Sequence, residues 1–223
     1  MFKKVPIKWN PAFRIVPTRF PTIYLYDRVA NQEDFDVLNQ LEAMTNPRLR
    51  DEIGELALVP KAERLFGAGS GPIMAAFTHL NPCGSRFSDG SYGVFYAAKE
   101  RSTAISETRY HSERFLLATK EGAMHLQMRL YYVRVQGEVV DLHGYAKKHA
   151  DILASDSYGA SQALGKTIRS GEAHGLLYPS VRAAGGSCVA AFRTPILKNC
   201  RHASYLEYHW DGSRINYMTE QLQ

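Results

Sequence analysis

Hydrophobic positions along the chain switch between two periods, and the switches mark out its elements. In residues 31–44 (NQEDFDVLNQLEAM), Phe35, Leu38, Leu41 and Met44 recur at helical spacing behind Asn31, and acids fill the first turn. This predicts a helix with one buried face and Asn31 as its cap. Residues 93–98 (GVFYAA) are a short apolar run that reads as a buried strand. They feed into 101–119, where Ala104, Thr108, His111 and Phe115 share one helical face.

The period then changes to two. Met124, Leu126, Met128, Leu130 and Tyr132 alternate within 124–134, so a long half-buried strand is expected, and 139–142 is placed to continue it after Gly137. A second amphipathic helix is predicted over 157–170, with Asp156 as its cap, Ala160, Leu164 and Ile168 on one face, and Gly171 where a helix ends. Strands are expected over 175–178 and 187–192. Asp211-Gly212, set between 205–210 and 213–218, signals a hairpin. With no internal repeat or linker, the expectation is a single α+β domain over 1–223, its mixed or antiparallel sheet flanked by helices.

Composition changes this picture little. The chain has 223 residues, 45% hydrophobic and 22% charged, which suits a packed fold. No run approaches the roughly 20 apolar residues of a bilayer span, and residues 1–6 lack the apolar segment of a secretion signal, so a cytoplasmic protein without membrane contact is expected. Cys83, Cys188 and Cys200 form no C-x-x-C pair and lack a histidine at ligand spacing, so they read as reduced thiols, and no metal site is expected. The net charge of +5 would suit an anionic partner. Its lysines and arginines are scattered, however, so a solvated surface outweighs a non-enzymatic nucleic-acid-binding module. Direct nucleic-acid binding is not expected, and a homo-oligomer rests on base rates alone.

The common nucleotide, dinucleotide, zinc-protease and hydrolase motifs are all missing, which leaves two looser clusters. The first, residues 79–111, joins a polar loop to the 93–98 strand and the following helix. In it Arg86 could clamp phosphate with its planar fork, though a lone loop arginine is more often a surface residue. Tyr96 within an apolar strand is usually core, with a ring stacked on a flat ligand as the functional reading. Glu107 falls ~60° off the apolar stripe at ~100° per residue, an edge position where a carboxylate is ordinarily solvated but can point into a cleft. The second cluster, 175–192, places Ser180 and Arg182 in a loop between two strands. Ser180 lacks a nucleophile-elbow setting, so an orienting hydrogen bond is the better reading, while Arg182 could be a surface residue.

Arg86-Phe87, Val94-Phe-Tyr96-Ala-Ala, Thr103-Ala-Ile-Ser-Glu107 and Tyr178-Pro-Ser180 resemble, in this order, the motifs of the RES domain, a family named for its arginine, glutamate and serine. The resemblance covers about 79–195, with 1–78 as an N-terminal extension from which Arg14 or Arg19 could also reach the site. It implies a fold similar to the ADP-ribosyltransferase family and NAD⁺ as substrate, with no prosthetic group. It also implies a toxin role and a helix-turn-helix antitoxin that blocks the pocket. Within that reading Glu107 stabilises the ribose cation and Arg86 holds phosphate. Tyr96 stacks on nicotinamide or positions the ribose, and Ser180 orients the ligand or Glu107, with Arg182 as a further binding residue. Hydrolysis, phosphorolysis and ADP-ribosyl transfer to a protein all remain open.

Overall fold

The computed structural model describes residues 2–20, 23–29, 31–42, 54–171 and 173–222. Strand β1 (Lys4–Pro17) is followed by helices α1 (Leu25–Arg28), α2 (Gln32–Glu42) and α3 (Gly71–Thr78), then β2 (Phe95–Ala98), α4 (Arg101–Thr119) and β3 (Met124–Asp141). Next come α5 (His143–Ala146), α6 (Gly159–Ser170), β4 (Gly175–Pro179), β5 (Ser187–Ala191), β6 (Leu197–Trp210) and β7 (Ile215–Leu222). The class is α+β: among the described residues, seven strands make one mixed sheet, in which β3 and β4 run parallel and the other pairings are antiparallel.

The sheet is organised around β3. Along one edge β3 pairs with β1, from Lys4 opposite Val140 to Pro17 opposite Met128. Along the other it meets β6 and, at Val140 and Asp141, β4. The path β1-β2-β5-β4-β3 returns to β1, so five strands close a ring from which the β6–β7 hairpin extends. β1 is therefore built into the sheet rather than appended to it. Its sequence conceals this because Pro6, Pro11 and Pro17 interrupt the alternation. Pro11 sits where the register shifts between Trp9 and Ala12, a bulge that spares the ladder a missing donor.

Two apolar clusters fill the sheet's faces. One packs α1, α2 and α3 through Tyr26, Phe35, Ile73 and Phe77 onto Phe95, Val133 and Val189. The other packs α4 and α6 through Ala104, Leu116, Leu164 and Ile168 onto Leu130, Leu176, Leu206 and Tyr208. Helix α4 spans the predicted residues, but its buried line ends differently. Leu116 is 2% exposed whereas Phe115 is 45% exposed, because the contact follows the i, i+4 ridge of Ala104, Thr108 and Leu116.

Other local expectations divide. Asn31 does cap α2, its Oδ1 accepting the Asp34 N–H at 2.9 Å, while Met44 lies outside the described residues. The two stretches expected at 124–134 and 139–142 are one strand. Gly137 within it leaves room for Ile196, whose Cγ2 would lie 2.4 Å from an added Cβ. Asp156 does not cap α6, since the Tyr110 and Ser155 hydroxyls hold its carboxylate. Gly171 follows α6 with φ −80°, so its lack of a side chain is not used for a left-handed turn there. The hairpin is present, but with a longer turn than the Asp-Gly pair: the Asp211 N–H reaches Arg214 O, and Ser213 belongs to the turn. Asp211 Oδ1 organises that turn by accepting the N–H groups of Ser213 and Arg214.

Candidate active site

Four segments converge where β2, β4 and β5 meet α4. Tyr96 holds the first. Its hydroxyl accepts the Phe87 N–H at 3.0 Å and pairs with Ser85 Oγ at 2.8 Å, so one oxygen grips the loop on both sides of Arg86. Helix α6 grips it again, through Gln162 Nε2 donating to Ser85 O at 3.1 Å. Gly165 lets α6 come this close, because a Cβ there would sit 2.3 Å from Phe87 O. Burial pushes the Tyr96 hydroxyl up to about 12, so it stays protonated at neutral pH.

The second and third segments bring a carboxylate to a hydroxyl. Ser180, just past β4, donates to Glu107 Oε1 on α4 at 2.6 Å, a short charge-assisted bond. The same Oγ accepts the N–H groups of Arg182 and Ala183 at 3.1 and 3.0 Å. Those donors polarise the hydroxyl towards Glu107 and occupy its lone pairs, leaving it an orienting group rather than a nucleophile. The loop is tied down by Ser180 N–H to Gly186 O at 2.8 Å, and Gly186 lies against Thr103 in the first turn of α4. Cys188 is nearby, but burial, reinforced by the Glu107 charge, pushes its thiol up to about 12 and excludes a thiolate at neutral pH.

Two guanidinium groups flank this pair. Arg86 is only 7% exposed, with Nη1 donating to Ala154 O at 3.0 Å and Cζ 4.7 Å from the centre of the Tyr158 ring. Arg182 is half-buried, stacks on Tyr110 at 3.3 Å and donates to Ser155 O at 2.5 Å. Both arginines thus hold the fourth segment, 154–158, by its backbone carbonyls. Among the described residues, Arg86 Nη2, Arg182 Nε and the Tyr158 hydroxyl are enclosed without a hydrogen-bond partner. Unsatisfied buried donors are costly, so each of these three groups has hydrogen-bonding capacity to offer a polar ligand.

The structure therefore brings Arg86, Tyr96, Glu107, Ser180 and Arg182 into one neighbourhood, with Tyr96 committed through its hydroxyl to the loop around Arg86. Arg14 lies behind it: half-buried, donating to Tyr96 O at 3.0 Å and covering the Phe95 ring. Arg19 stacks on Phe115 and lines a cleft of about 610 Å³ along α4, shared with Thr108, His111 and Gln127. His111 is exposed at its edge rather than packed. Tyr110, Tyr158 and Ser155 went unnoticed in the sequence. Two of them are aromatic residues that serve as guanidinium platforms, and nothing in their spacing signals it.

The neighbourhood thus combines a hydroxyl-bonded glutamate with two arginines that each keep an unpartnered donor. Residues 61–211 match the RES domain family. The uncharacterized protein y4oC of Sinorhizobium fredii (strain NBRC 101917 / NGR234) is 31% identical over 207 residues, which are 92% of this chain and 84% of that protein. The chain belongs to the RES domain family, and the match extends beyond the 79–195 core on both sides. Among solved structures, the M. tuberculosis MbcT-MbcA toxin-antitoxin complex aligns with 88% of this chain and 86% of its own, at 15% identity and a TM-score of 0.47. No helix among the described residues is long and apolar enough to cross a membrane.

Proposed function

We propose that this RES-domain protein is an NAD⁺-consuming enzyme that cleaves the bond between nicotinamide and ribose, with Glu107 as its central catalytic group. The observation that carries the proposal is the 2.6 Å bond from Ser180 to Glu107, with Arg86 Nη2 and Arg182 Nε unpartnered beside it. Cleavage sends the bonding electrons out with nicotinamide, which leaves neutral, and positive charge builds on the ribose. A carboxylate held next to that carbon is favoured more in the transition state than in the ground state. Because the leaving group needs no proton, one carboxylate suffices where glycoside hydrolases use two.

The arginines suit the diphosphate: a planar fork takes two oxygens at once, and each group already has a donor to spare. Water or inorganic phosphate then completes the reaction at the ribose carbon. The toxin role and the helix-turn-helix antitoxin follow from the family resemblance and belong to this proposal.

The test incubates purified protein with NAD⁺, with and without phosphate, and separates nicotinamide from the ribose-side product by chromatography, with Glu107→Gln as control. Nicotinamide released by the native protein and lost in the variant supports the reading. ADP-ribose or its 1-phosphate then separates hydrolysis from phosphorolysis. Release that occurs only when a lysate protein becomes labelled from radiolabelled NAD⁺ would turn the assignment to protein ADP-ribosylation. Equal activity in native protein and Glu107→Gln would refute the site.

A further inference from the structure

Strand pairing assembles a second chemical cluster away from Glu107. His125 on β3 stands directly opposite His209 on β6, and Glu207 is the next residue on the same face of β6. Their rings lie 4.1 Å apart between centroids. Glu207 Oε1 lies close to both, 3.3 Å from His125 Nδ1 and 3.2 Å from His209 Nε2. On the other flank, Tyr217 of β7 sits edge-on to His209 at 5.0 Å and is 60% exposed.

We propose that His125 Nδ1, His209 Nε2 and one Glu207 oxygen form a binding site for a divalent transition-metal ion of the zinc class. The ligand atoms all lie within 4.8 Å of one another. A tetrahedral zinc ion with ligands at ~2.0–2.1 Å holds them ~3.3–3.4 Å apart. The two histidine–glutamate separations match this, and the two imidazole nitrogens, within 4.8 Å of each other, are brought to it by turning the exposed His125 side chain. A second observation is independent of the spacing. His209 Nε2 is enclosed and makes no hydrogen bond, although Glu207 Oε1 is close, so its orientation suits a central ion better than the neighbouring oxygen.

Two imidazoles and one carboxylate favour zinc, nickel or copper over magnesium or calcium, which take oxygen shells. The His125 side chain is 59% exposed, so solvent can supply the fourth ligand and the ion can enter without unfolding the sheet. Such an ion ties β3 to the β6–β7 hairpin beyond the closed ring. Cross-strand histidines with a carboxylate two residues along give rigid placement, since the ladder fixes all three Cα positions.

The experiment uses the untagged full chain, stripped with chelator and desalted. Zn²⁺ is titrated against a chromophoric chelator, and Co²⁺ is followed by its visible absorption. One equivalent per chain is expected, with the intense bands of tetrahedral cobalt. Losing even an outer partner of a metal ligand costs roughly 10–100-fold in affinity, so His125→Ala and Glu207→Gln should each weaken binding by at least ~10-fold. His149→Ala, outside the cluster, should leave it unchanged. Circular dichroism melts of His125→Ala without metal should overlay those of the native chain, because the side chain is exposed and its loss opens no cavity. Absence of stoichiometric binding, or binding equal in all three variants, overturns the proposal. The readout is independent of NAD⁺ turnover, so its failure leaves the function proposed above untouched.

Discussion

Ser180 and Tyr96 carry their chemistry in single hydroxyl groups, and each yields a separable expectation. Ser180→Ala removes a hydrogen bond to a charged group, worth ~1.5–3 kcal/mol, and frees the Glu107 carboxylate to rotate. If the serine acts by positioning Glu107, kcat for nicotinamide release should fall ~10–100-fold while KM changes little. A rise in KM alone would mean that Ser180 touches the substrate instead. Tyr96→Phe strands the Phe87 N–H and the Ser85 hydroxyl on either side of Arg86. It should destabilise the fold by ~1–3 kcal/mol in urea unfolding and raise KM for NAD⁺ by loosening Arg86. The residue identities at this site were legible from short ordered motifs. Arg182 was ambiguous in sequence because its partners are a backbone carbonyl and the Tyr110 ring, and a carbonyl has no sequence signature.

At the scale of elements, the site depends on two close approaches. Helix α6 reaches the Arg86 loop only because residue 165 lacks a side chain, and the Ser180 loop reaches α4 because residue 186 does. Gly165→Ala must move α6 or the loop, at a cost of ~1–3 kcal/mol typical of overpacking, measurable as a lower urea midpoint. The β6–β7 turn gives an expectation in pH. Hydrogen bonds from Arg214 and Ser213 hold the Asp211 carboxyl at about 2, below its usual value. A lowered folded-state pKa means the stabilisation is complete above the unfolded value of ~3.9 and disappears as pH falls towards the folded one. Melting temperature between pH 2 and 5 should therefore drop less steeply in Asp211→Ala than in the native chain. Periodic elements such as α4 and β3 were legible because one face dominates their composition. β1 was not, since three prolines break its pattern and its partners lie far along the chain.

For the whole molecule, ligand binding offers a measurement free of turnover. With Glu107→Gln at NAD⁺ 100-fold above Kd, mass action contributes ~2.7 kcal/mol. For a chain of this size the melting temperature should rise by ~5–10 °C, and an unchanged melt would argue against a site for this substrate. The α+β class followed from counting periods. The ring closure did not, because nothing local says that β1 meets both β2 and β3. The trio His125, Glu207 and His209 was hidden for the same reason, as only the register of β3 against β6 unites it.

That closure also sets a timetable. Lys4 cannot find its place until Val140 has been made. At ~5–20 residues per second of synthesis, β1 waits ~7–27 s beside the ribosome with its ladder groups unpaired. Long-range pairings of this kind fold slowly, and until they form the strand is open to wrong partners. The candidate site is later still, since Ser180 must emerge and β5 must lock β4 to β2 before Glu107 gains its hydroxyl. A message broken off before that point encodes a chain that lacks the serine, so the carboxylate and its hydroxyl partner are products of the complete transcript alone.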